Sequence, residues 1–161
     1  MTRILLVCTG NTCRSPMAEA LFLKLLQESA VELEQEINIG SAGLYAMGNL
    51  PASEEAIVIM EQEGIDITGH RSRMLDGSMI NEADLILTMG MSHRDEIRER
   101  YPDTEQRVYT LAEYAGLAGM DIHDPIGGGF AAYQQCARQL KEIIPRVWYN
   151  ILQGNIIRRK P

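Results

Sequence analysis

The chain has 161 residues, about the length of one domain, and 45% of them are apolar, which is enough for a buried core. The formal net charge of −7 argues against general nucleic-acid binding, because that function needs a basic surface. Three cysteines are too few for a disulfide framework and fit a reducing cytoplasm. No apolar stretch approaches the roughly 20 residues that span a bilayer, so a membrane is not an expected partner.

The first half of the chain alternates short apolar runs with signals for helices. Residues 4–7 form a continuous apolar run, which is typical of a strand buried on both faces of a parallel sheet. Ser15 is a favoured N-cap and Pro16 a favoured first helical residue, so a helix is predicted to begin there. The predicted elements that follow are a strand over 37–42, a loop over 45–51 and a helix from Ser53 to about residue 63.

The second half continues this alternation. The predicted elements are a strand over 84–89, a polar helix over 91–101, an edge strand over 107–111 and a long loop over 116–129. From about Phe130 onward apolar residues recur at helical spacing, and Pro145 is expected to kink that helix. The alternation predicts a single three-layer α/β domain over residues 1–161, with a four-stranded parallel sheet and helices on both faces. Such sheets bind ligands where their strands end, which directs attention to the loop after the first strand.

That loop, residues 8–15, reads Cys-Thr-Gly-Asn-Thr-Cys-Arg-Ser. A short loop entering a helix points its backbone N–H groups inward and can bind an anion, and Gly10 allows the tight turn. The guanidinium of Arg14 can donate two parallel hydrogen bonds to two phosphate oxygens. Such surroundings stabilise the thiolate form of Cys8, which is then a nucleophile for in-line attack on a phosphoryl group. The alternative is that Cys8 is only a core cysteine at the end of a strand.

An acidic residue far along the chain is a candidate proton donor for a poor leaving group. Asp124 precedes Pro125, which stiffens the loop, and three glycines at 127–129, which permit movement. Close to a phosphate and a thiolate, this carboxyl should hold its proton more tightly, because like charges disfavour ionisation. It would then donate a proton in a first step and activate water in a second. On the residues alone Asp121 is equally eligible.

Residues 7–19, which read Val-Cys-Thr-Gly-Asn-Thr-Cys-Arg-Ser-Pro-Met-Ala-Glu, resemble the phosphate-binding loop of the low-molecular-weight protein tyrosine phosphatase family. The resemblance extends over the whole chain, because residues 41–43, 69–73 and 124–125 follow in the family's order and spacing. It implies a four-stranded parallel sheet. It also implies that the substrates are phosphorylated proteins and that inorganic phosphate is a product.

The resemblance also implies a role for individual residues. Cys8 would form a phosphocysteine intermediate, Arg14 would clamp the phosphoryl oxygens, and Asp124 would be the acid. Ser15 would hydrogen-bond the sulfur when it leaves in the second step. The loop's phosphate-binding residues would be Thr9, Gly10, Asn11, Thr12, Cys13 and Ser15, with Ser41 and His70 supporting its shape.

Two positions bear on specificity. Family members that act on phosphotyrosine usually carry a bulky aliphatic residue where this chain has Thr12, and an aromatic residue where it has Ile126. Aromatic walls stack on a phenyl ring, a contact worth about 0.5–1.5 kcal/mol. Thr12 and the Asp-Pro-x-Gly-Gly pattern resemble the bacterial protein-arginine-phosphatase branch, which hydrolyses the P–N bond of phosphoarginine. A phosphotyrosine phosphatase is the main alternative.

Two other functional classes are alternatives. Thiol-coupled arsenate reductases share a similar loop but need two further, closely spaced cysteines, and beyond the loop this chain has only Cys136. A non-catalytic phosphate-binding module is the other. No set of side chains has metal-ligand spacing, so neither a metal nor another cofactor is expected, and His93, on a polar helix, is expected to be solvated. We expect a cytoplasmic, redox-sensitive enzyme in which peroxide oxidises Cys8 and Cys13 to a disulfide.

Overall fold

The computed structural model contains one parallel β-sheet and describes residues 1–33, 35–117 and 119–154. The strands are β1 (Thr2–Cys8), β2 (Ile37–Gly43), β3 (Leu85–Thr88) and β4 (Val108–Thr110). Their order in the sheet is β2-β1-β3-β4, and every neighbouring pair is parallel. The predicted four-stranded parallel sheet is confirmed, with strand bounds that differ from the predicted ones by at most two residues.

The helices connect the strands in the predicted alternation. They are α1 (Arg14–Glu28), α2 (Glu54–Gln62), α3 (Gly77–Glu82), α4 (Met91–Arg100), α5 (Leu111–Tyr114) and α6 (Gly129–Gln153), with a 3₁₀ segment over Pro102–Arg107. The sequence predicted neither the two shortest helices, α3 and α5, nor the 3₁₀ segment. Both short helices begin at side-chain caps, from Asp76 and Thr110.

The predicted start of α1 was wrong in its capping residue. The helix begins at Arg14, its N-cap is Cys13, and no side chain caps it. Ser15 lies inside the first turn and is fully buried. Its hydroxyl contacts Cys8 and Asn11 and is therefore not used as a cap.

Strand β1 divides the core because its side chains alternate between the two faces of the sheet. Ile4 and Leu6 face a cluster that contains the buried faces of α1, α2 and α6. Leu5 and Val7 face a second cluster, which contains Ile80 of α3 and Ile97 of α4. Helices therefore cover both faces of the sheet, as the unbroken apolar run of β1 predicts.

Helix α6 is the long C-terminal helix of the described chain. All six apolar positions that recur at helical spacing are buried: Tyr133, Cys136, Leu140, Ile144, Val147 and Ile151. Pro145 lies inside the helix without dividing it, and the expected kink stays a prediction. None of the helices in the described residues is long and apolar enough to cross a bilayer.

The order of the strands fixes where a site can form. β1 has β2 on one side and β3 on the other, so the connections that follow β1 and β2 run to opposite sides of β1. A crevice opens at the carboxyl end of a strand at such a switch point. Cys8 is the last residue of β1, which places the predicted loop at this crevice.

Candidate active site

The sulfur of Cys8 lies at the base of the loop and is surrounded by donors. The backbone N–H of Asn11 donates to Sγ of Cys8 at 3.3 Å. The hydroxyl oxygen of Ser15 lies 2.9 Å from the same sulfur. That oxygen accepts a hydrogen bond from the side-chain amide of Asn11 at 2.8 Å, so its own hydrogen is available to the sulfur. Two donors therefore converge on Cys8, and such donors stabilise a thiolate.

Asn11 holds the loop in its curled shape. It has a positive φ of 56°, a conformation that asparagine tolerates better than most residues, and it is fully buried. Besides Ser15, its side-chain amide donates to Ser41 at 2.9 Å, and its side-chain oxygen accepts from the N–H of Arg73. Its backbone oxygen accepts from Nε2 of His70 at 2.7 Å. The structure thus brings Asn11, Ser41 and His70 together.

The end of β2 packs directly against the loop. A Cβ at Gly43 would lie 2.5 Å from the backbone oxygen of Thr9 and 3.0 Å from the backbone nitrogen of Asn11. No side chain fits there without moving the loop. Ser41 in the same strand also donates to Glu19 of α1, a contact that the sequence argument did not foresee.

Arg14 and Asp124 meet beside the loop, although they are far apart in the chain. Nη2 of Arg14 donates to Oδ2 of Asp124 at 3.3 Å, and Nη1 donates to the backbone oxygen of Ile122 at 3.3 Å. The Arg14 side chain is 8% exposed, whereas that of Asp124 is 45% exposed. The guanidinium of Arg14 is therefore buried and held by hydrogen bonds, whereas the carboxylate of Asp124 is in contact with solvent.

Asp121, the other candidate acid, makes a different contact. Its Oδ1 accepts from the backbone N–H of Met91 at 3.0 Å, at the start of α4. A carboxylate at that position satisfies one of the free N–H groups of a helix N-terminus. Of the two carboxylates, it is Asp124 that contacts Arg14 of the loop, and Asp124 stays the predicted acid.

His93 corrects one expectation from the sequence. It was expected to be solvated, but it is only 7% exposed, and its Nε2 lies 2.8 Å from Oγ1 of Thr9 in the loop. The error arose because α4 is polar along most of its length, which hides the side that packs against the sheet.

The side chain of Cys13, which belongs to the loop, packs against α6. Its sulfur is 3.1 Å from the hydroxyl of Tyr133 and 3.6 Å from that of Ser53. Burial, followed by the hydrogen bond to Cys13, raises the pKa of Tyr133 to about 12. Tyr133 was predicted only as a core residue, so its contact with the loop was missed. The disulfide between Cys8 and Cys13 stays a prediction.

Thr12 and Ile126 are the two positions predicted to bear on specificity. The half-buried Thr12 accepts from the N–H of Ser53 through its backbone oxygen, while its side-chain oxygen is 3.6 Å from Sγ of Cys13. Ile126 is 65% exposed, and its N–H donates to Oδ1 of Asp124. Within the described residues, no group of three His, Cys, Asp or Glu side chains is arranged to hold a metal ion.

Comparison with known proteins places this site in a family. The model of the family described as low molecular weight phosphotyrosine protein phosphatase matches residues 3–155. A protein-arginine-phosphatase of Geobacillus stearothermophilus is 39% identical over 145 residues, which cover 90% of this chain and 93% of that protein. A probable low molecular weight protein-tyrosine-phosphatase, EpsP of Ralstonia solanacearum, is 38% identical over 138 residues, or 86% and 88% of the two chains.

A solved structure adds evidence about the fold. The arginine phosphatase YwlE, in a cysteine-to-serine variant with a phosphorylated active-site serine, superposes with a TM-score of 0.88 at 32% identity. The match covers 96% of this chain and 98% of that one. The fold, the loop at the end of β1 and these matches agree. The chain therefore belongs to the low molecular weight phosphotyrosine protein phosphatase family, whose members are cysteine-based protein phosphatases that act as hydrolases.

Proposed function

We propose that this protein hydrolyses phosphoarginine in proteins through a phosphocysteine intermediate on Cys8. The observation that carries the catalytic part is the convergence of three groups on one loop. Two donors contact the sulfur of Cys8, Arg14 of the same loop is buried, and Asp124 is hydrogen-bonded to Arg14. A nucleophile, an anion clamp and an acid are the parts that a phosphoryl transfer through cysteine requires.

In the first step the thiolate of Cys8 attacks phosphorus in line with the leaving group. An S–P bond forms while the P–N bond breaks, and the proton of Asp124 passes to the departing nitrogen. The guanidinium of Arg14 and the loop's N–H groups bind the phosphoryl oxygens and stabilise the charge of the transition state. The departing arginine side chain leaves with the proton from Asp124.

In the second step water attacks phosphorus, and the carboxylate of Asp124 accepts its proton. The S–P bond breaks, inorganic phosphate forms, and Cys8 returns as a thiolate. The hydroxyl of Ser15, 2.9 Å from the sulfur, donates to it as it leaves. The backbone N–H of Asn11 is a second donor to the same atom.

Support for phosphoarginine as the substrate comes from Thr12 and Ile126. A planar guanidinium leaves through nitrogen and carries N–H groups that need acceptors. Thr12 has a hydroxyl and modest bulk in the middle of the loop, and Ile126 supplies no aromatic wall for a phenyl ring. A relative with 39% identity is named a protein-arginine-phosphatase, which also supports this substrate.

Phosphotyrosine is the second candidate substrate, because a relative of nearly equal identity, 38%, is named a probable protein-tyrosine-phosphatase. An arsenate reductase fits less well. Its electron relay needs reactive cysteines, whereas Cys136 is fully buried and its pKa is raised by burial to about 12.

Rates on two peptides of matched sequence, one with phosphoarginine and one with phosphotyrosine, test the substrate. We expect the wild type to prefer phosphoarginine. Thr12→Ile should shift the ratio of the two kcat/KM values at least tenfold toward phosphotyrosine. It removes an acceptor for the guanidinium, at a cost of about 1–3 kcal/mol, and adds apolar contact for the ring.

Thr12→Ser is the matched control, because it keeps the hydroxyl and should keep the preference. Activity of all variants on p-nitrophenyl phosphate reports whether the phosphate loop is intact. A wild type that prefers phosphotyrosine, or a ratio that Thr12→Ile leaves unchanged, would contradict the proposal.

A further inference from the structure

A buried histidine lies behind the phosphate-binding loop and has no part in the two steps above. His93 is in the first turn of α4 and is 7% exposed. Its Nε2 is 2.8 Å from Oγ1 of Thr9, the residue that follows the nucleophile, and Thr9 itself is exposed. The buried imidazole therefore forms a hydrogen bond with an exposed side chain of the loop.

The other ring nitrogen decides the direction of this hydrogen bond. Nδ1 of His93 is buried, and no group among the described residues hydrogen-bonds to it. A buried N–H without an acceptor is rarer in native proteins than an acceptor without a donor. The proton therefore belongs on Nε2, which makes His93 the donor and the hydroxyl oxygen of Thr9 the acceptor.

The charges around the ring agree with this neutral tautomer. Burial, followed by the positive charge of Arg14, lowers the pKa of His93. Asp121, Glu96 and Asp124 act in the opposite direction and do not outweigh these two effects. A neutral ring carries one proton, and so Nδ1 can remain bare.

Thr9 is fixed at a second point as well. Its backbone oxygen accepts from the N–H of Tyr45 at 2.9 Å. Because His93 contacts Oγ1, both the backbone and the side chain of Thr9 are anchored. Because Oγ1 accepts from the ring, the hydroxyl hydrogen of Thr9 is left to donate elsewhere.

We propose that His93 is a positioning residue for the phosphate-binding loop. By donating from Nε2 to Thr9, it fixes the residue next to Cys8 and leaves the Thr9 hydroxyl free to donate to an acceptor oxygen of the bound substrate. The proposal rests on residues 8–15 being the phosphate site. It does not depend on whether the substrate carries phosphoarginine or phosphotyrosine.

The test compares His93→Leu and Thr9→Val with the wild type, using kcat/KM for p-nitrophenyl phosphate and the inhibition constant of inorganic phosphate. Each variant loses the hydrogen bond between His93 and Thr9. Each should lower kcat/KM and raise the inhibition constant of phosphate about five- to tenfold. The double variant should be no worse than Thr9→Val alone, because His93 acts through the Thr9 hydroxyl, which that variant already lacks. His93→Gln, whose amide N–H can reach the position of Nε2, should remain within about threefold of the wild type.

Ser92→Ala is the matched control, an exposed neighbour on the same helix that should leave both quantities unchanged. Equal losses in His93→Leu and His93→Gln, additive losses in the double variant, or an unaltered Thr9→Val would overturn the proposal. Nitrogen-15 NMR of the wild type should show a bare Nδ1 and a protonated Nε2. The opposite tautomer would overturn it even if His93→Leu did not fold.

Failure of the underlying site gives a different result. A wild type that does not bind phosphate, or a Cys8→Ser variant that retains activity, would refute the assignment of the loop itself. A wild type that binds phosphate and responds to Cys8→Ser, but not to Thr9→Val, would refute only the role of His93.

Discussion

Two aspartates three residues apart, Asp121 and Asp124, lie in different surroundings. Asp124 contacts the buried Arg14 and remains 45% exposed, whereas Asp121 accepts from the N–H of Met91 at the start of α4. Of the two, Asp124 is therefore the proposed proton donor. Asparagine keeps the shape of aspartate but has no acidic proton. Replacing each aspartate by asparagine therefore tests which of the two is the acid.

Asp124→Asn should lower kcat for a peptide with a poor leaving group about 10²- to 10⁴-fold, the usual contribution of a positioned acid. The first step on p-nitrophenyl phosphate should slow much less, because p-nitrophenolate leaves without a proton. Steady-state rates on both substrates across a pH series provide the measurement. The variant should also lose one limb of the pH–rate profile.

Asp121→Asn is the control for this prediction. Its side-chain oxygen can still accept from Met91, so kcat should stay within about threefold of the wild type. The acid would be misassigned if Asp121→Asn lost the limb of the profile and Asp124→Asn kept it.

Among single residues, the sequence predicted the reactive cysteine and the arginine of the loop. It missed the residues that support the loop from neighbouring helices. A cysteine and an arginine six positions apart after a buried strand indicate an anion site, and in the structure Arg14 of that loop is hydrogen-bonded to Asp124. His93 and Tyr133 were assigned to solvent and to core, because helical periodicity does not say which neighbour a polar atom meets. Their contacts depend on the packing of α4 and α6 against the loop.

At the scale of elements, the end of β2 shapes the loop after β1. Gly43→Ala should lower kcat/KM for p-nitrophenyl phosphate at least tenfold, because its Cβ would lie 2.5 Å from the backbone oxygen of Thr9. Stability should fall by about 1–3 kcal/mol, the usual cost of forcing a methyl group into packed structure. Enzyme rates and urea unfolding measure the two effects.

Gly48→Ala is the matched control, because a Cβ there meets no described atom within 4 Å beyond its chain neighbours. It should leave both rate and stability nearly unchanged. Normal activity in Gly43→Ala would show that the end of β2 does not set the shape of the loop.

The strands were predicted better than the short helices. Strands β1 and β3 are buried on both faces and appear as apolar runs, and all four strands were predicted to within two residues. Helices α3 and α5 have six and four residues, too few to display helical periodicity. Ser15 looked like a cap because serine favours that position, but its hydroxyl is engaged by Cys8 and Asn11.

At the scale of the whole molecule, the strand order assembles one site from distant parts of the chain. Arg14 and Asp124 are separated by 110 positions and meet because β1 lies at the switch point of the sheet. Strand–helix alternation predicted this class of fold, and the position of Cys8 predicted the edge that holds the site. The contact between Arg14 and Asp124 itself required the path of the long loop before α6, which no periodic pattern encodes.

We propose that catalysis proceeds through a phosphoryl group on Cys8. The most direct measurement uses Asp124→Asn with p-nitrophenyl phosphate, since this substrate needs no acid for the first step while the second step lacks its base. Rapid quenching and peptide mass spectrometry should find a phosphoryl group on Cys8, formed in a burst with p-nitrophenolate. Release of p-nitrophenolate over many turnovers with Cys8 unmodified and another residue phosphorylated would contradict the account.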